Sequence, residues 1–160
     1  MTTIRVASGV ATGPTEMSSY DAALAEAGVH NYNLVAVSSV VPADADVEVL
    51  DRVPDLGPAG NRLTVVQSRV TTTGPGRLTA GLGWATGPGP GLFYEAAGEA
   101  DTDTIRQRVG RGLDAGRALR EWTFTDEHVE LASADADAGV YTTAVVIAAY
   151  GSSEPIGGLR

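Results

Sequence analysis

The chain contains no lysine and no cysteine, and all 11 of its positive side chains are arginines. Without lysine it cannot form the internal Schiff base of a pyridoxal phosphate enzyme, nor the phosphate-holding lysine of a P-loop. Without cysteine it has no disulfide, thiolate nucleophile, zinc finger or iron–sulfur cluster, and its redox compartment is left open. Histidine is nearly as scarce. His30 and His128 stand alone, in different kinds of segment, so a multi-histidine metal site is excluded and no metal is expected. Apolar runs are short as well: none reaches the roughly 20 residues that span a bilayer. The opening MTTIRVASGVATG has no basic region followed by an apolar run of signal-peptide length. A cytoplasmic location is therefore expected.

Acidic residues number 20, giving a net charge of −9 and a pI near 4.5. Such a surface repels phosphate backbones and anionic membranes, so the expected partner is a small molecule rather than nucleic acid or lipid. Loss of lysine together with abundant Asp, Ala, Thr and Gly suits the high-salt cytoplasm of a halophilic archaeon. A GC-rich genome produces much of the same bias. The 160 residues, 43% of them hydrophobic, fit one compact domain spanning 1–160.

Short apolar strands punctuated by Gly and Pro, with two helical interruptions, run along the chain. Strands are expected at Ile4–Val10, Asn33–Val41, Leu63–Val70, Leu78–Ala85, Leu92–Ala97, Glu121–Thr125, His128–Ser133 and Val140–Tyr150. The Asn33–Val41 run is nearly all apolar and β-branched, and reads as a buried strand ended by Pro42. Residues 42–60 are acidic and proline-rich, and read as a surface loop. TTTGPG and TGPGPG predict hairpin connections. A first helix is expected from a cap at Ser18 or Ser19 to a left-handed stop at Gly28. A second over Asp101–Arg120 places Ile105, Val109, Leu113 and Gly116 on one face. The final GSSEPIGGLR reads as a frayed tail. This pattern excludes an alternating parallel α/β sheet and predicts an α+β fold with helices covering antiparallel sheets.

The unusual local feature is Ser38-Ser39 inside an apolar strand. A buried hydroxyl needs a partner or costs about 1–3 kcal/mol, and adjacent strand residues point to opposite faces. Both serines bonding to neighbouring backbone is one explanation; chemistry is the other.

YDAALAEAGVHNYNLVAVSSVVP, from Tyr20 to Pro42, carries Asp21 with Ala23-Leu24, then Ala27-Gly28, then Asn31-x-Asn33-Leu34, then Ser38-Ser39 followed three residues later by Pro42. In order and spacing this resembles the self-cleavage segment of pyruvoyl-dependent arginine decarboxylases. Gly91-Leu92-Phe93-Tyr94-Glu95 with Gly98 resembles that family's glutamate-bearing strand, and Arg120-Glu121-Trp122 follows at a similar distance. The resemblance covers most of residues 3–150, and is weakest over 43–76.

The resemblance implies a four-layer αββα sandwich and a self-cleaving precursor. Cleavage between Ser38 and Ser39 would give a β chain of residues 1–38 and an α chain of residues 39–160. Ser39 would become a covalent pyruvoyl group, whose carbonyl forms an imine with the substrate amine and so replaces the missing lysine-bound cofactor. It implies conversion of L-arginine to agmatine and CO2 on the way to polyamines, in a homotrimer with active sites between subunits. Glu95 matches the catalytic proton donor, though alone it reads as a rim carboxylate. Asn33 matches an asparagine near the cleavage site, Asp21 the acid that meets the guanidinium, and Leu24 a lining residue of the pocket. Without the resemblance these read as a strand start, a helix-end charge and a core leucine. His30, Tyr32 and Ala43 depart from the family pattern, which leaves open a decarboxylase of another amino acid. An uncleaved assembly subunit is the non-enzymatic alternative.

Overall fold

A computed structural model describes residues 2–157. Its elements are β1 (Thr2–Gly13), α1 (Glu16–Ala27), β2 (Asn33–Ala36), β3 (Val40–Val41), β4 (Ala45–Val49), β5 (Arg62–Thr72), β6 (Gly76–Thr86), β7 (Gly91–Gly98), α2 (Thr102–Ala118), β8 (Asp126–Ala136) and β9 (Tyr141–Tyr150). Sheet A has the order β2-β5-β9-β1-β4, and sheet B the order β3-β7-β6-β8. Strand alternation divides the apolar side chains between three layers of core. Ile4, Val6, Val66 and Val146 of sheet A meet Leu78, Leu82 and Phe93 of sheet B. On the outer face of sheet A, Ala7, Val145 and Ile147 pack against Ala23 and Leu24 of α1. On the far side of sheet B, Ala85 and Leu92 meet Ile105, Val109 and Leu113 of α2. The result is the expected helix–sheet–sheet–helix sandwich.

Close approach of the outer layers depends on absent side chains. A Cβ on Gly9 of β1 would collide with the Ala23 carbonyl of α1, and one on Gly83 of β6 would collide with Val109 of α2. Glycine at both positions lets helix and sheet backbones approach further than any other residue allows.

Several expectations are corrected. Helix α1 begins earlier than Ser18. Thr15 is its N-cap and Ser18 completes a reciprocal capping box, while Ser19 is fully buried and bonded to Thr143. Gly28 does supply the left-handed stop, with φ 90°. The 42–60 loop contains β4, which pairs in parallel with β1, and β2 pairs in parallel with β5; sheet A is therefore mixed. The second Gly-Pro turn makes the expected hairpin between β6 and β7. TTTGPG does not make one: it carries the chain from β5 in sheet A to β6 in sheet B. Residues 121–125 are not a strand, and α2 ends at Ala118, before Arg120. The tail is not frayed where described, because Arg62 and Glu154 exchange both backbone hydrogen bonds and form an ion pair of 2.9 Å. Residues 158–160 of that expectation lie outside the described residues.

The largest correction concerns Asn33–Val41. It is two short edge strands, one in each sheet, joined by residues 37–39. Val35, Val37 and Val40 are 41–42% exposed. Apolar composition here marks a sheet edge rather than the interior of the chain.

Candidate active site

The Ser38–Ser39 peptide bond spans the gap between the sheets. On one side, the Val37 N–H donates to the Val65 carbonyl of sheet A at 2.9 Å. On the other, the Phe93 N–H of sheet B donates to the Ser39 carbonyl at 2.7 Å. The Val40 N–H folds back onto the Ser38 carbonyl at 3.1 Å, and the Tyr150 hydroxyl donates to the Val40 carbonyl at 2.9 Å. Ser38 is exposed and Ser39 half-buried, so neither hydroxyl is the buried polar group that an interior strand would have created. The dipeptide has the properties a serine-derived carbonyl group needs at its origin. It lies outside regular structure, it has a hydroxyl next to the reacting carbonyl, and that carbonyl already accepts a hydrogen bond.

Glu95 stands two residues beyond Phe93 on β7. Phe93 belongs to the inter-sheet core and Ala97 packs against it, so alternation sets Glu95 on the same inner face. Its side chain reaches solvent, yet desolvation by the surrounding protein raises its carboxyl above the ordinary carboxylate pKa. A carboxyl displaced this way keeps its proton closer to neutrality, as a proton donor requires. The neighbouring Tyr94 points to the other face, against Gly112 and Gly116 of α2, which fixes the strand's orientation at this point.

Asp21, Leu24 and Asn33 do come together. They line an open pocket of about 600 Å³ with Met17, Tyr20, His30, Tyr32, Leu34 and Gln67. Asp21 is exposed on α1, and Leu24, one helical turn on, is 6% exposed. The Asn33 side-chain amide donates to the Gly60 carbonyl at 2.8 Å, and its backbone N–H to Asn61. The strand-start asparagine is therefore engaged with the 54–61 loop. Tyr20 donates to the Gln67 side-chain carbonyl at 2.7 Å, and the Arg69 guanidinium lies 4.3 Å over the Tyr20 ring.

These residues form two groups. Asp21 and Leu24 lie on the helix side of sheet A, whereas Glu95 lies on the inner face of sheet B, two residues past the contact with Ser39. A site that uses all of them must reach around or across the β2 edge. Sequence reasoning missed Gln67 and Tyr150. Gln67 interrupts the odd-numbered apolar face of β5, Leu63 and Val65, and that interruption is a signal the sequence does offer. Tyr150 gives no such sign, because its relation to Val40 depends on how the sheets stack.

The family described as pyruvoyl-dependent arginine decarboxylase matches residues 3–155. A Halobacterium salinarum protein named pyruvoyl-dependent arginine decarboxylase is 55% identical over 157 residues, 98% of each chain. Proteins of the same name from Pyrococcus horikoshii and Methanopyrus kandleri are 33% and 26% identical. The first match covers 72% of this chain and 74% of the relative, the second 89% and 92%. The halobacterial match accords with the acidic, lysine-free composition.

Proposed function

Since the chain belongs to the pyruvoyl-dependent arginine decarboxylase family, we propose that it is a self-cleaving precursor whose product decarboxylates L-arginine to agmatine and CO2. The observation that carries this is the Ser38-Ser39 turn, tied through Phe93 to the strand that bears Glu95. Ser39 Oγ adds to the Ser38 carbonyl carbon while the Ser38–Ser39 C–N bond breaks, and the hydroxyl proton passes to the nitrogen. Loss of the residue 39 Cα proton then expels the Ser38 carboxylate. One water enters and one ammonia leaves, so that residue 39 ends as a pyruvoyl group. The precursor 1–160 becomes a β chain of residues 1–38 and an α chain of residues 39–160.

The pyruvoyl group supplies an electrophilic carbonyl that holds the substrate amine and accepts the electron pair as CO2 departs. The protein does the rest. Glu95, whose partly dry setting raises its pKa and so favours the protonated form, returns a proton to the substrate α-carbon. Asp21 meets the guanidinium with a charge-assisted hydrogen bond, and Leu24 covers the aliphatic chain. Asn33 orients the reacting end from the β2 edge. We assign a homotrimer with sites between subunits: Asp21 and Glu95 lie on different sides of sheet A, and the exposed Val35, Val37 and Val40 offer an apolar edge for a neighbouring copy. Among the described residues, no helix is long and apolar enough to cross a membrane.

Intact-mass spectrometry tests the core of this. Two fragments are expected, the larger blocked by pyruvoyl at residue 39; a chain that stays whole would identify an assembly subunit instead. Ser39→Ala must abolish both cleavage and activity. CO2 release from arginine, ornithine, lysine and aspartate then separates arginine from the second substrate reading, which His30 and Tyr32 favour because both line the Asp21 pocket.

A further inference from the structure

We propose that the Val40 N–H is the oxyanion donor of the self-cleavage step and that Tyr150 is the positioning residue that aims it. This rests on cleavage at Ser38–Ser39. Attack on the Ser38 carbonyl turns its oxygen into an oxyanion, and catalysis improves most when a donor is already fixed beside that oxygen. In the structure the donor is local: residues 38–40 form a three-residue turn closed by Val40 N–H on Ser38 O at 3.1 Å.

A turn at a solvent-exposed edge is held weakly by itself, and two longer-range bonds brace it immediately after the reacting group. Phe93 N–H holds the Ser39 carbonyl at 2.7 Å, and the Tyr150 hydroxyl holds the Val40 carbonyl at 2.9 Å from 110 residues away. Together they fix both peptide planes that follow the scissile bond, and hence the direction of the Val40 N–H. Tyr150 ends β9 on the inner face of sheet A and packs beside Phe93, with ring centroids 6.1 Å apart, so its own position is set by the core. Burial raises its pKa to about 12. It therefore keeps its proton and acts on the turn as a donor.

Cell-free synthesis with a time course of precursor and fragments on gels tests the assignment. Tyr150→Phe keeps the ring and removes the hydroxyl; cleavage is expected to slow about 3- to 10-fold, by the loss of one hydrogen bond. The slowing should be the same at every pH across the neutral range, because no proton leaves Tyr150. Replacing Val40 by its α-hydroxy analogue exchanges one backbone N–H for oxygen and should slow cleavage about 100- to 1,000-fold. Circular dichroism melts of each precursor show that it is folded at the assay temperature. A Tyr150→Phe chain that melts lower yet cleaves at the wild-type rate would reduce Tyr150 to packing and overturn its role. Unchanged cleavage in the Val40 analogue would overturn the donor itself. If the wild-type chain never cleaves, the failure belongs to the proposed function instead.

Discussion

Ser68 joins the two sheets by a single hydroxyl, and removing it has a calculable cost. The residue is 2% exposed and projects from β5 toward sheet B. Its Oγ donates to the Ala96 carbonyl at 3.0 Å and accepts from the Gly81 N–H at 3.2 Å, two residues that face each other across β6 and β7. Ser68→Ala deletes both bonds and adds no bulk. At about 0.5–1.5 kcal/mol net for each, the loss is about 1–3 kcal/mol. For a chain of this size about 2–4 °C accompanies each kcal/mol, so the central expectation is a fall in melting temperature of about 4–8 °C. The measurement belongs in a Ser39→Ala background, where the polypeptide stays whole and unfolding can be compared between like chains. A fall of less than about 1 °C would show that Gly81 and Ala96 close up and pair directly, and that the hydroxyl bridge contributes nothing.

Glu95→Gln should cut the decarboxylation rate by about 100- to 10,000-fold and abolish the alkaline limb of the pH–rate profile, which wild-type enzyme enters as Glu95 loses its proton. The stability sign is opposite. With the folded-state pKa raised by desolvation, ionised Glu95 disfavours the fold above that pKa, so the glutamine variant should melt higher near neutrality. The advantage should vanish as pH falls below the unfolded-state pKa, and equal melting temperatures at both pH values would refute the burial argument. Asp21→Asn should raise the KM for arginine about 10- to 150-fold with kcat largely kept, the loss expected for a hydrogen bond to a charged group. Steady-state kinetics with arginine and with its uncharged analogue citrulline check this, since the analogue's KM should move little. Thr15→Ala removes half of the capping box on α1 and should lower stability by about 1 kcal/mol, read as a shift in denaturant midpoint.

Periodicity located α2 well, because Ile105, Val109 and Leu113 form a stripe that only a helix can bury. The strands β5 to β7 and β9 were legible for the same reason: both faces of each are covered by neighbouring layers, so the apolar runs are long. Three other features were not. In β4 the alternation Ala45, Val47, Val49 is diluted by acids, and its partner β1 lies far back in sequence and runs parallel, so no turn announces the pairing. Asn33–Val41 has the composition of an interior strand but is an edge, since composition reports the need for cover without saying which surface gives it. The third was the Gly74-Pro75 turn, whose residues specify a reversal but not the sheet that receives the chain. At the site, Asp21, Leu24, Glu95 and Ser39 were all singled out by family resemblance. Gln67 and Tyr150 are brought in by sheet order and stacking, which no local pattern encodes.

The position of β1 determines what a cut after Ser38 leaves behind. Residues 2–13 lie inside sheet A, paired with β9 from Ile4↔Tyr150 to Gly13↔Tyr141 and with β4 on the other edge. The shorter fragment therefore retains an internal strand, the whole of α1 and β2, and cannot leave without drawing β1 out from between β9 and β4. The translation product folds as one chain, but the mature molecule would have to refold as two, a bimolecular reaction that becomes slower on dilution. Its melting temperature would depend on protein concentration, and denatured enzyme would recover poorly even under conditions that refold the Ser39→Ala precursor. Maturation of this kind works as a one-way gate, and the persistence of the mature enzyme is set by how slowly it opens.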